Sequence, residues 1–117
     1  ARLVGVIGMP GDRKDDSIKS VGEFCSRVFD QIYIKEDANK RNRRDFEVAR
    51  LFYDEIIKNG FDQQKIQIIQ KELDALKEAI NNAKNNDLIV VFYEDLEPLQ
   101  QLLKEQEVKD ELVSVTS

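Results

Sequence analysis

Leu3-Val4-Gly5-Val6-Ile7-Gly8, followed by Met9-Pro10-Gly11-Asp12-Arg13, is the stretch on which the fold turns. A short apolar run ending in glycine suits a strand covered on both faces, as in parallel sheets. Pro10 and Gly11 end that strand and force a loop over 9–16. Asp15, Asp16 and Ser17 are then candidate N-caps. The helix they introduce carries Ile18, Val21, Phe24, Cys25, Val28 and Phe29 at three- and four-residue spacing, one apolar stripe. Strand, special loop and amphipathic helix make a first βα unit.

The unit repeats along the chain. Gln31–Lys35, centred on Ile32, Tyr33 and Ile34, reads as a second strand, and 36–45 as a charged loop. Val48, Ala49, Leu51, Phe52, Ile56 and Ile57 set the period of a second helix that stops at Asn59-Gly60. A third strand spans Ile66–Ile69, and Leu73, Leu76, Ala79, Ile80 and Ala83 mark a third helix. Leu88–Tyr93 is the most strand-like run. Leu96, Leu99, Leu102 and Leu103 make a fourth helix, with Pro98 in its first turn. Leu112–Val115 fits a last, edge strand. Strict alternation predicts an α/β three-layer sandwich: a mostly parallel sheet of about five strands with helices on both faces.

Composition narrows the class. The 117 residues suit one domain, and 41% hydrophobic with 35% charged residues suits a globular one. A net charge of −5 argues against a general nucleic-acid partner. The single cysteine, Cys25, excludes an internal disulfide and fits a reducing, cytoplasmic setting. No apolar run approaches the roughly 20 residues that span a bilayer, so no membrane partner is expected. The chain begins Ala1-Arg2 without a methionine and enters its first strand at once. It reads as a single domain, 1–117, excised from a longer protein.

In such folds ligands bind beyond the carboxyl ends of the strands. Three loops qualify: 9–16, 36–45 and 93–97. In the first, Gly11 lets backbone approach a ligand, a helix N-terminus follows, and Arg13 offers a forked cation for phosphate or carboxylate. Spacing alone equally fits a tight turn with Asp12 and Arg13 in solvent. The second loop sets Glu36 and Asp37 ahead of Arg41, Arg43 and Arg44. Acid for an amine and arginine for a carboxylate would orient an amino acid; a solvated charge run is the alternative. In the third, Glu94 and Asp95 close a strand, and Asp95 could serve only as an N-cap.

Other chemistries are absent from the sequence. No Gly-x-x-x-x-Gly-Lys-Ser/Thr occurs, and Gly5, Gly8 and Gly11 have the wrong spacing for a dinucleotide fingerprint. There is no histidine, so no His-based triad, general base or metal site. Cys25 lies on the apolar stripe and reads as packing. The third strand ends Ile69-Gln70-Lys71, where a receiver-type signalling domain needs an aspartate.

Three segments in order carry a resemblance: Val6-Ile7-Gly8-Met9-Pro10-Gly11-Asp12-Arg13 with Asp15-Asp16-Ser17-Ile18; Phe29-Asp30-Gln31-Ile32-Tyr33-Ile34-Lys35-Glu36-Asp37; and Val91-Phe92-Tyr93-Glu94-Asp95-Leu96-Glu97-Pro98-Leu99. Together they resemble the final domain of the cyanophycin synthetases and, more distantly, the C-terminal domain of the Mur ligases. The resemblance implies a Rossmann-like lid of an ATP-dependent amide ligase. Such a ligase activates a carboxylate as an acyl phosphate and adds an amino acid, arginine in the cyanophycin case, to a poly-aspartate backbone. ATP and Mg2+ would be bound largely by a central ATPase domain, the partner of this one, and the lid alone would be inactive. Gly11, Asp12 and Arg13 match a Gly-Asp-Arg segment facing the nucleotide side of the interdomain cleft. Glu36 and Asp37 match the acid of an Asp-Asn-Pro-Arg motif whose remainder is missing here, leaving Arg41, Arg43 or Arg44 to replace its arginine. Tyr93 and Glu94 stand where some relatives have Gly-Lys-Gly. A non-enzymatic regulatory or protein-binding domain derived from such a lid is the second reading.

Overall fold

The computed structural model describes residues 2–106 and 112–116. Five strands, β1 (Leu3–Ile7), β2 (Gln31–Glu36), β3 (Ile66–Lys71), β4 (Leu88–Tyr93) and β5 (Leu112–Thr116), alternate with four helices. These are α1 (Asp15–Val28), α2 (Glu47–Lys58), α3 (Glu72–Asn81) and α4 (Leu96–Gln106). The sheet order is β3-β2-β1-β4-β5. Every pairing is parallel. The expected α/β sandwich is therefore present, with β5 at the edge where the sequence put it.

Side-chain alternation builds the two cores. Along β1, Val4 and Val6 face one side and Ile7 the other; along β2, Tyr33 faces one side and Ile32 and Ile34 the other. The α1/α2 face buries Ile18, Cys25, Val48, Phe52 and Ile56 against Ile7, Ile32 and Ile34. The α3/α4 face buries Ala75, Leu76, Ala79, Leu99 and Leu102 against Val4, Val6, Tyr33, Ile89 and Val91. Cys25 is packing, as its place on the stripe implied, and burial pushes its thiol up to about 12.

Two boundaries differ from the sequence reading. The N-cap of α1 is Lys14, with no side-chain cap; Asp15 and Asp16 lie inside the first turn. There they complement the helix dipole. And β2 runs one residue further than expected, through Glu36, which is 5% exposed. Glu36 is a strand residue, not part of a solvated loop.

The chain leaves β1 toward β2 and β3 on one side, then crosses to β4 on the other. The carboxyl ends of β1 and β4 thus flank a topological switch point, where open sheets of this kind place ligands.

Candidate functional site

Four chain segments, not three, meet at the carboxyl edge of the sheet. The fourth is the β3–α3 junction, Gln70-Lys71-Glu72, which sequence reasoning passed over. It has no intervening loop, since α3 starts directly after β3. The β2–β3 register shifts between Ile34 and Glu36, and irregularities in pairing re-aim side chains beside sites.

An open cleft of about 480 Å³ lies over the ends of β2, β3 and β4 on the α3/α4 side. Six carboxylates line it, from Glu36, Asp37, Glu72, Asp74, Glu94 and Asp95, against three lysines, Lys40, Lys71 and Lys77. The cleft is therefore net negative and suits a cation. Its floor is tightly built. Lys35, 0% exposed, reaches the Oδ1 of Asp37 at 2.9 Å and the Oε1 of Glu72 at 2.7 Å. Parity explains the direction: Lys35 is two residues after Tyr33, so its side chain shares the α3/α4 side. The same Glu72 oxygen accepts from the Glu94 backbone N–H at 2.7 Å. The Glu94 carboxylate in turn accepts from the Ala38 N–H at 2.8 Å.

Glu36 serves the chain itself. Its carboxylate accepts from the backbone N–H groups of Phe46 at 2.9 Å and Ala49 at 3.3 Å, and from the Gln70 amide at 3.3 Å. It anchors the start of α2, where Phe46 is held at a φ of +66°.

The predicted Gly11-Asp12-Arg13 segment is not part of this cleft. It packs against the 37–46 loop as a lip, where Gly11 shares a small recess with Glu36, Asp37, Lys40, Arg43 and Arg44. That loop is an ordered turn, not a solvated run. The Arg41 N–H donates to the Asn39 side chain at 3.0 Å, and the Arg43 N–H to the Lys40 carbonyl at 3.0 Å. The two loops touch backbone to backbone, because a Cβ at Gly11 would lie 2.0 Å from the Lys40 carbonyl oxygen. Only glycine permits that approach.

The three arginines divide by partner. Arg43 is structural: it donates to the carbonyls of Gly11 at 2.8 Å and Arg13 at 2.7 Å, and pairs with Asp15 and Glu47. Burial pulls its guanidinium pKa down, but the bonds to Asp15 and Glu47 outweigh this and hold it above its ordinary value. Arg41 pairs with Asp12 at 2.8 Å. Among the described residues, the exposed guanidinium groups of Arg13 and Arg44 have no side-chain partner. Asp15 and Asp16 already complement the N-terminus of α1. Anion attraction at the lip therefore rests on Arg13 and Arg44 and not on the helix end.

Sequence reasoning missed Lys35 and Glu72 as site residues. A signal existed for each. A lysine that ends an apolar strand in phase with an inward Tyr33 points inward too, and the first residue after a parallel strand sits at the ligand edge. Among the described residues no group of three or more acidic, cysteine or histidine side chains could hold a metal ion. No described helix is long and apolar enough to cross a membrane.

Known proteins share this sequence pattern. The family model described as "Mur ligase, glutamate ligase domain" matches residues 1–92. The chain is 36% identical over 93 residues to the cyanophycin synthetase of Crocosphaera subtropica, covering 80% of this chain and 11% of that protein. It is 35% identical over 100 residues to the cyanophycin synthetase of Synechocystis, covering 86% and 11%. Against the UDP-N-acetylmuramoyl-L-alanyl-D-glutamate–2,6-diaminopimelate ligase of Buchnera aphidicola the identity is 30% over 86 residues, covering 74% and 16%. The chain thus spans about a tenth of the length of the first two relatives.

Proposed function

The chain belongs to the Mur ligase family as its glutamate ligase domain, of the kind found in cyanophycin synthetases, and from that premise we propose that it is the substrate-side lid of an ATP-dependent amide ligase. The observation that carries the reading is the separation of charge at one sheet edge. A net-negative cleft opens beside the start of the 37–46 loop, and the exposed guanidinium groups of Arg13 and Arg44, which have no side-chain partner among the described residues, are not among its lining.

In this reading the cleft receives an incoming cationic amino acid, arginine by class. Its guanidinium lies against Asp37, Glu72 and Glu94. The lip, through Arg13 and Arg44, faces polyphosphate or the poly-aspartate chain, while Gly11 lets the 37–46 loop close against the β1 loop behind them. Bound ATP with its magnesium supplies the activation of the acceptor carboxylate. The chain's own residues bind and orient the amine partner. The central ATPase domain of the parent ligase contributes the opposite wall, so the lid alone neither hydrolyses ATP nor ligates.

Citrulline tests the charge logic, since it keeps the shape of arginine and lacks its charge. In nitrogen-15 spectra of the chain, arginine is expected to shift the amides of Ala38 and Glu94 at millimolar concentration. Citrulline should bind weaker by about tenfold, the loss of one charge-assisted contact. Equal responses to the two would overturn the assignment of the cleft.

A further inference from the structure

We infer that Lys35 is a positioning residue of the cleft, the buried member of a hydrogen-bonded ring that fixes the carboxyl ends of β2, β3 and β4 relative to one another. The inference rests on reading the cleft as the amino-acid side of the ligase.

The ring closes through named atoms. Lys35 Nζ holds Asp37 and Glu72, at the ends of β2 and β3. Glu72 holds the N–H of Glu94, at the end of β4. Glu94 holds the N–H of Ala38, the neighbour of Asp37. No element of the circuit lies more than one residue from a cleft-lining side chain. Gly8, just after β1, packs directly on Lys35, because a Cβ there would lie 2.8 Å from the Lys35 carbonyl oxygen and 2.9 Å from its Cε.

A fully buried ammonium is costly unless neutralised. One carboxylate would suffice for that. Lys35 has two, and the ring adds a third in Glu94, so the assembled floor keeps negative charge. Among the described residues no buried side-chain oxygen or nitrogen lacks a partner. The second oxygens of Asp37 and Glu72 are therefore either bonded or open to the cleft. Lys35 gathers the carboxylates that a cationic ligand would meet, while being itself out of its reach.

Amide hydrogen exchange tests the ring without any ligand. In Lys35→Met the amides of Ala38 and Glu94 should exchange at least about tenfold faster, with Val6 and Ile34 of the central strands within about threefold of wild type. A role in general stability would speed all four alike, and that result overturns the proposal. Glu72→Ala decides the matter should Lys35→Met not fold. Residue 72 makes no bond to Ala38, yet the ring requires Ala38 to lose protection by a similar factor; wild-type protection there overturns the proposal. Arginine and magnesium-ATP titrations of Lys35→Met add the split that a positioning role demands. Arginine affinity should fall at least about fivefold, with the response to magnesium-ATP at residues 11–13 unchanged. Unchanged arginine binding overturns the positioning role and leaves the ligase reading intact. No arginine binding by the wild-type chain overturns the ligase reading, while the exchange pattern still stands for the ring.

Discussion

At the amino-terminal end of the sheet, Arg2 grips Asp87 through two bonds of 2.8 and 3.1 Å, and the Lys84 N–H adds a third to the same carboxylate. Arg2 also reaches the Gln31 side chain at 3.0 Å. At the carboxyl-terminal end, Lys35 is shared between Asp37 and Glu72. Both ends tie neighbouring strands together with one basic side chain. The first balances one cation with one anion in a bidentate pair and closes. The second leaves carboxylates in excess beside an open cleft. Charge balance, rather than burial, separates a structural clamp from a place for a ligand.

Breaking the clamp should have the largest effect on stability. Asp87→Ala leaves Arg2 without its pair and the Lys84 N–H without its acceptor, and is expected to cost about 3 kcal/mol in urea unfolding at neutral pH. The bond from Arg2 holds the Asp87 carboxyl below its ordinary pKa. A depressed folded-state pKa contributes stability above the unfolded-state value, lost as pH falls through the folded one. The gap between wild type and variant should therefore narrow below about pH 4. A gap independent of pH would contradict the ion-pair account.

At the other end, Gly8→Ala drives a Cβ against Lys35 backbone that cannot yield, and about 2 kcal/mol should be lost in thermal or urea unfolding. A neutral result would show that Lys35 is not wedged beneath the β1 loop. On the lip the expected effects diverge. Arg43→Ala removes bonds to the Gly11 and Arg13 carbonyls and should cost about 1 kcal/mol. Arg13→Ala and Arg44→Ala should stay within about 0.5 kcal/mol of wild type while weakening any response to magnesium-ATP or poly-aspartate. Equal stability losses for Arg43 and Arg13 would erase the distinction between anchor and free guanidinium.

The fold was legible because its signals are local. Apolar runs of five or six residues, helical stripes between them and a Pro-Gly break after β1 all follow from short-range pattern. The site was legible only in part. Loop chemistry pointed to Glu36, Asp37, Glu94 and the arginines, but no local pattern tells which charges meet each other. The charge of Glu36 reads as loop in the sequence, yet the residue ends β2 and anchors α2. Arg43 is one of three arginines that look alike in the sequence, yet it pins the β1 loop. Parity points Lys35 inward and the strand end puts Glu72 at the ligand edge, but their meeting depends on the β2–β3 register and the shift in it. The lip with its arginines and the acidic cleft look like one mixed stretch in sequence, because only the folded turn at 37–46 separates the residues that line the cleft from those that hold the β1 loop.

That separation is the central claim, and one nitrogen-15 titration tests it directly, with arginine and magnesium-ATP added to the chain in turn. The account predicts two largely disjoint sets of shifted amides: Ala38, Glu72 and Glu94 for arginine, and Gly11, Asp12, Arg13 and Arg44 for magnesium-ATP. Both ligands perturbing one common set, or arginine moving the lip and not the cleft, would contradict it.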